Sequence, residues 1–289
     1  MLRRRVRAAA AAASDLPEFV ERLRADGVLI RERFSQHTVG EVTGYAVALQ
    51  SGDGSPVWFG GGKLAPDLTL PKLRARWDAG GRKVDPRMHR PGREQHGPQL
   101  TPFERVRALK YAELAAHNAA EHIAHVSHGD PAGAADAAWA AADLLSVTAR
   151  LVEGPRVGSL SQAADQFERA AREAYRRTPA VTDAGHGLRN ASGMLSALRL
   201  LRTGENRQLL ALMTQLVRLA ESVGQLRETQ HRATQAAAAR AAAEQMRAVM
   251  PRLESEPRPG QARATQAPPV AVTRPATVAR PTQGRFTRR

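Results

Sequence analysis

The residues with the clearest chemical potential lie in one helical stretch, where His122, His125 and His128 recur every three positions in EHIAHVSHGD. On the same stretch Glu113, His117, Glu121 and His125 follow one another at intervals of four. Imidazole and carboxylate groups at that spacing share a helix face, so His117, Glu121 and His125 could bridge a divalent ion. The order is not His-Glu-x-x-His, however, and no second segment offers a matching ligand. A polar face supported by Glu–His pairs accounts for the same residues without a metal. Gly60, Gly61, Gly62 and Lys63 resemble a phosphate cradle, but a P-loop needs a glycine five residues before its Gly-Lys and a hydroxyl residue after it. Those places hold Val57 and Leu64. The glycines read instead as residues that release a strand with positive φ, with backbone approach to a DNA phosphate as a second use. Absence of cysteine removes disulfides, thiolate metal sites and thiol nucleophiles. With no paired carboxylates, nucleophile–base set or cofactor loop in view, the expectation is a non-enzyme without cofactor or metal.

The other chemically distinctive feature is positive charge. Lys and Arg number 43 against 28 Asp and Glu, for a net charge of +15. Such a surface attracts polyanions, of which nucleic acid is the commonest in a cell. Arg31, Arg33, Lys63, Lys72, Arg74 and Arg76 fall on strands and a helix of one short segment, with Tyr45, Trp58 and Phe59 interspersed. A basic face carrying aromatic rings is suited to gripping DNA. Against that, Trp58 and Phe59 also suit the core of a small module, and runs of charge commonly cover a solvated face. Arg3, Arg4, Arg5 and Arg7, together with the arginines from Arg258 to Arg289, are candidates for phosphate contacts of no sequence preference.

These residues are distributed over five regions. Residues 1–13 (MLRRRVRAAAAAA) form a basic helical arm, too weakly apolar for a signal segment. Residues 14–79 have the pattern of an α-β-β-β-α module: a helix from Ser14-Asp15-Leu16-Pro17-Glu18 to Gly27, β-branched runs at 28–34 and 42–49, a turn at 51–56, a strand at 57–59, and a helix from Leu70 to Trp77. Residues 80–100 are a Gly- and Pro-rich linker. Residues 101–250 predict an antiparallel helical bundle, with helices at 103–125, 131–152, 160–177, 187–201 and 206–249. The fifth carries Leu209, Leu212, Leu216, Leu219, Val223 and Leu226 as a seam and becomes Ala-rich past Gln230, where the pattern allows a free projecting helix. Residues 251–289 carry eight arginines against two glutamates amid prolines, and are expected to be a disordered basic tail. The fold class is therefore α+β, mostly α.

The stretch from Phe19 to Trp77 is similar to the module that follows the nuclease domain in bacterial conjugative relaxases. The shared features are a helix ending in Gly27, a strand carrying Arg31 and Arg33, and the Thr43-Gly44-Tyr45 strand. An aromatic-Gly turn from Trp58 to Lys63 follows, then Leu68-Thr69-Leu70 before a basic helix. The segments 130–139 (DPAGAADAAW) and 161–171 (SQAADQFERAA) resemble the C-terminal region of such proteins from high-GC bacteria. Together the likeness spans about residues 6–200. It implies a role in mobilising a plasmid or integrative element. The family's catalytic tyrosine and metal-binding histidine cluster would precede the segment present here. Tyr45, Tyr111 and Tyr175 fall outside that apparatus, so no catalytic residue carries over.

The resulting expectation is a non-catalytic DNA-binding accessory component, contacting DNA through its backbone. A relaxase nuclease domain or a transfer coupling protein would be its protein partner. The alternative is an interaction adaptor, or a fragment of a split or decayed relaxase, that recruits the nuclease or transfer machinery without touching DNA. No window approaches the length and apolarity of a membrane span, and a cytoplasmic location is expected.

Overall fold

The computed structural model describes residues 1–50, 55–79, 100–126, 131–154, 156–173, 180–198 and 205–255. The expected linker, most of the 51–56 turn, His128 and the basic tail from residue 256 lie outside the described residues.

The chain opens with α1 (Leu2–Ala12) and α2 (Leu16–Ala25). Asp15 caps α2 by accepting the Glu18 amide at 2.8 Å, while the Glu18 carboxylate accepts the Ser14 amide and hydroxyl. Gly27 ends the helix at φ 70°, a conformation that favours glycine. Then β1 (Val28–Phe34) and β2 (Val42–Leu49) pair antiparallel, and β3 (Phe59–Gly60) joins the far edge of β2, giving the order β1-β2-β3. The single turn α3 (Gly61–Leu64) and a 3-10 turn at Pro66–Leu68 lead into α4 (Leu70–Ala79). Val28, Tyr45 and Val47 on one sheet face share a core with Phe19, Leu23, Leu68, Leu70, Leu73 and Trp77. Phe19 lies at its centre, 5.2 Å edge-on to Tyr45 and 5.7 Å from Trp77. The α+β class and the order of the N-terminal module follow the sequence reading.

Six helices complete the described chain: α5 (Pro102–Val126), α6 (Pro131–Glu153), α7 (Ser159–Ala171), α8 (Asp183–Ser196), α9 (Asn206–Thr229) and α10 (Ala233–Ser255). Their shared core is built chiefly from alanine and leucine, and small alanine side chains let the helix axes approach closely. Three of the starts carry a polar device. Thr101 and Glu104 form a reciprocal capping box at α5. Glu153 reaches from the end of α6 to accept the Gly158, Leu160 and Ser161 amides at the start of α7. Thr182 accepts the Gly185 amide at α8.

The expected single helix over 206–249 is two helices. His231 adopts φ 57°, and the Arg232 amide donates back to the Arg227 carbonyl at 2.7 Å, a Schellman-type ending built on histidine rather than glycine. This turn folds α10 back on α9 and α7, so the Ala-rich stretch buries Ala236, Ala239, Ala242, Ala243 and Met246 instead of projecting. Pro251 does not end the helix, because buried Leu253 anchors it and Asn206 Nδ2 donates to the Leu253 carbonyl.

The basic arm is also a packed element. Helix α1 lies against α2, α6 and α8, and Trp77 Nε1 donates to the Ala10 carbonyl at 3.1 Å. Residues 1–256 form one compact unit. No described helix is long and apolar enough to cross a membrane.

Candidate nucleic-acid interface

Five of the ten lysines and arginines singled out before the tail as facing DNA are engaged by other groups of the protein. Arg7, 3% exposed, pairs with Asp67 at 2.9 Å and Glu168 at 2.8 Å. Arg4 pairs with Asp165, and Arg3 lies 3.7 Å from the same carboxylate. Arg5 donates to the Asp26 carbonyl. Arg76 turns inward from α4 onto Asp143 of α6, with its guanidinium 5.8 Å from the Trp139 ring. Arg3, Arg4, Arg7 and Arg76 join the N-terminal elements to α6 and α7, and Arg5 is tied to Asp26, so these five do not make up a free basic surface. The reason is burial: a cation taken out of water needs a partner, and the acidic residues of the bundle supply it.

The charges form a continuous internal network. Asp136, fully buried, accepts the Thr182 amide at 2.8 Å and hydroxyl at 2.9 Å and also pairs with Arg189. Burial pulls the Arg76 pKa down, as do the nearby Arg189 and Arg7, while Asp67, Asp136 and the contacting Asp143 oppose the loss of its charge. For Asp67, burial alone would raise the pKa, but Arg7 beside it and Arg76 beyond more than offset this and hold the carboxyl below its ordinary value. A depressed acid pKa contributes stability that is complete above the unfolded-chain value, near 4, and is lost as pH falls from there through the folded value. Thermal melts should therefore fall steeply below about pH 4. Asp67→Asn should lower stability at neutral pH and flatten that acid limb; an unchanged limb would count against the pairing.

Tyr45 is also internal. Its Oη donates to the Leu68 carbonyl at 2.6 Å, and burial raises its pKa above the ordinary phenol value. That bond explains one glycine of the cluster, Gly61. A Cβ on Gly61 would lie 2.1 Å from the Leu68 carbonyl oxygen and 2.6 Å from Tyr45 Oη. Gly61 is needed for this close approach and not for positive φ; the glycines with positive φ among the described residues are Gly27, Gly40 and Gly154.

What remains open is the outer face of the sheet. Residues paired directly across strands share a face, so Leu29, Arg31 and Arg33 of β1 line up with Ala48, Ala46 and Gly44 of β2, and Gly60 of β3 lies beside Ala46. Every outward position on the central strand is small. Long flanking side chains can therefore lie across it. The Arg31 guanidinium sits 4.0 Å over the Trp58 ring, and the Arg33 guanidinium lies close enough to Gly44 that a Cβ there would meet it at 3.0 Å. Both arginines are exposed, and neither makes an ion pair among the described residues. Phe34, 55% exposed, pairs with the core residue Val42 beyond the bulge and so belongs to the other face.

No family model, curated protein or solved structure matches this chain.

The remaining sequence candidates distribute around this face. Lys63 and Arg74 are exposed, and Lys72 is half-buried. Helix α4 packs on the inner side of the sheet through Leu70, Leu73 and Trp77, so Lys72 and Arg74 belong to a different layer from Arg31 and Arg33. Trp58 is the member of the outer face that a search for charge alone passes over. Its signal in the sequence is the run Gly44, Ala46, Ala48, small residues at every second position beside a strand bearing two arginines. On α5, His125 Nδ1 contacts the Glu121 carbonyl oxygen at 2.7 Å, and among the described residues no three His, Asp or Glu side chains are grouped to hold a metal.

Proposed function

We propose that this chain is a non-catalytic DNA-binding component of a plasmid or integrative-element mobilisation system, corresponding to the C-terminal region of a relaxase. The observation that carries the DNA-binding part is the outer sheet face, where Arg31 stacked on Trp58 and Arg33 laid across Gly44 present, beside an aromatic ring, two guanidiniums with no ion pair among the described residues. Guanidinium groups bind phosphate, and both planar groups stack on unpaired bases, an arrangement suited to single-stranded DNA. The mobilisation context rests on the likeness of residues 19–77 to the module that follows the relaxase nuclease domain.

Titration of labelled single- and double-stranded DNA against the whole chain, over salt from about 50 to 200 mM, tests the reading. Arg31→Glu with Arg33→Glu should reduce affinity at least tenfold and flatten the salt dependence by about two phosphates. Its stability should stay within about 0.5 kcal/mol, because both side chains are exposed. Trp58 fluorescence should change on adding single-stranded DNA. Binding untouched by the double variant would remove the sheet face as the site, and no binding at low salt would favour the adaptor reading.

A further inference from the structure

We propose that the solvent face of α5 is a self-association surface, pairing antiparallel with α5 of a second copy of this chain. Helix α5 packs Ala108, Leu109, Ala112, Ala116, Ala119 and Ile123 into the core against α6, α8 and α9. Its opposite face carries large apolar side chains in water: Phe103 is 70% exposed, Leu114 56% and Tyr111 37%. Three such groups on one open helix face are more than a solvated surface needs.

The charges on this face select its occupant. Arg107, Leu114 and Glu121 are each seven residues apart, two helical turns, and all three are exposed. They therefore lie along the centre line of the open face. A two-fold axis through Leu114 sets Leu114 against Leu114 and brings Arg107 of each copy opposite Glu121 of the other. The same operation sets Tyr111 against His117 and Phe103 against His125. A parallel arrangement would instead oppose Arg107 to Arg107 and Glu121 to Glu121. The exposed charges along the helix, Glu104, Arg107, Lys110 and Glu121, balance, although the chain as a whole carries +15. A face of zero net charge does not repel its own copy and has no electrostatic attraction for nucleic acid. Arg107 already lies over the Phe103 ring at 5.8 Å, which holds the guanidinium on this face. An isologous pair of this kind closes on itself as a dimer. The proposal stands apart from the DNA-binding reading, since none of these residues belongs to the sheet face.

The test is sedimentation velocity of the whole chain across a concentration series without DNA, alongside Arg107→Glu, Glu121→Arg, the two combined, and Leu114→Asp. The unmodified chain should pass from monomer to dimer with rising concentration. Each single charge reversal places like charges together twice per dimer and should weaken association about tenfold or more, while the combined variant should recover to within about threefold. Leu114→Asp should leave a monomer. Circular dichroism of all four should match the parent, because the altered positions are exposed. A chain that stays monomeric at every concentration overturns the proposal and would assign the face to a different protein. Failure of the combined variant to recover, or a dimer that survives Leu114→Asp, overturns it equally by placing the interface elsewhere.

Discussion

Arg76→Met is expected to cost about 3–5 kcal/mol of folding stability while leaving DNA affinity unchanged. Sequence alone groups Arg76 with Arg74 on a basic helix, where both would contact phosphate. In the fold the Arg76 guanidinium is internal, in contact with Asp143, whose side chain is 2% exposed. Removing the cation leaves Asp143 buried without its partner, and an uncompensated buried charge costs far more than the pair contributes over an apolar replacement. Arg76→Met combined with Asp143→Leu should therefore recover most of the loss, since both charges then leave together. Chemical denaturation of the three variants beside DNA titration at fixed salt decides the matter. A stable Arg76→Met with weakened DNA binding would mean that the guanidinium faces solvent, contrary to the structure. Arg74→Ala is the internal control: exposed and on the same helix, it should shift stability by no more than about 0.5 kcal/mol.

Gly61→Ala should destabilise the chain by about 3 kcal/mol or more, whereas Gly62→Ala should be nearly silent. The added methyl at 61 collides with the Leu68 carbonyl and the Tyr45 hydroxyl, which are bonded to each other; relief requires breaking that bond or moving the turn that leads into α4. At 62 the nearest atom is Thr69 Cγ2 at 3.2 Å, the end of a side chain that can shift by tenths of an ångström. The contrast also separates two uses of the glycine cluster. A loop whose backbone cradled a phosphate would lose DNA affinity on substitution at either position. A packing requirement predicts a stability loss at 61 only, with the folded fraction of each variant binding DNA as the parent does. Thermal unfolding and DNA titration of the two variants suffice to distinguish these outcomes.

Element types were legible in the sequence wherever local signals decide them. Asp15, Gly27 and Thr101 mark helix ends through side-chain caps or positive φ, and those ends lie where local rules place them, whereas α8 begins at Asp183 behind a Thr182 cap, four residues before the expected start at 187. The β1–β2 pairing followed from alternation and β-branching between turn residues. The break between α9 and α10 was not legible, because no glycine or proline marks it. His231 takes the left-handed conformation as the chain folds α10 back on α9 and α7, and Arg227 is held there by the Ala170 carbonyl and Glu173.

Composition by itself determined the helical class, the absence of thiol chemistry and the excess of positive charge. Which charges are free was decided by the tertiary structure alone. Arg7 and Arg31 look alike in sequence, but one meets Asp67 and Glu168, brought from 60 and 161 residues away, and the other is exposed, stacks on Trp58 and has no carboxylate partner among the described residues. A guanidinium's availability depends on whether a carboxylate and a low-dielectric wall arrive beside it, and those arrive through chain folding rather than through local pattern. The open sheet face has the same origin. Gly44, Ala46 and Ala48 are merely small until register sets them between two arginines and a tryptophan.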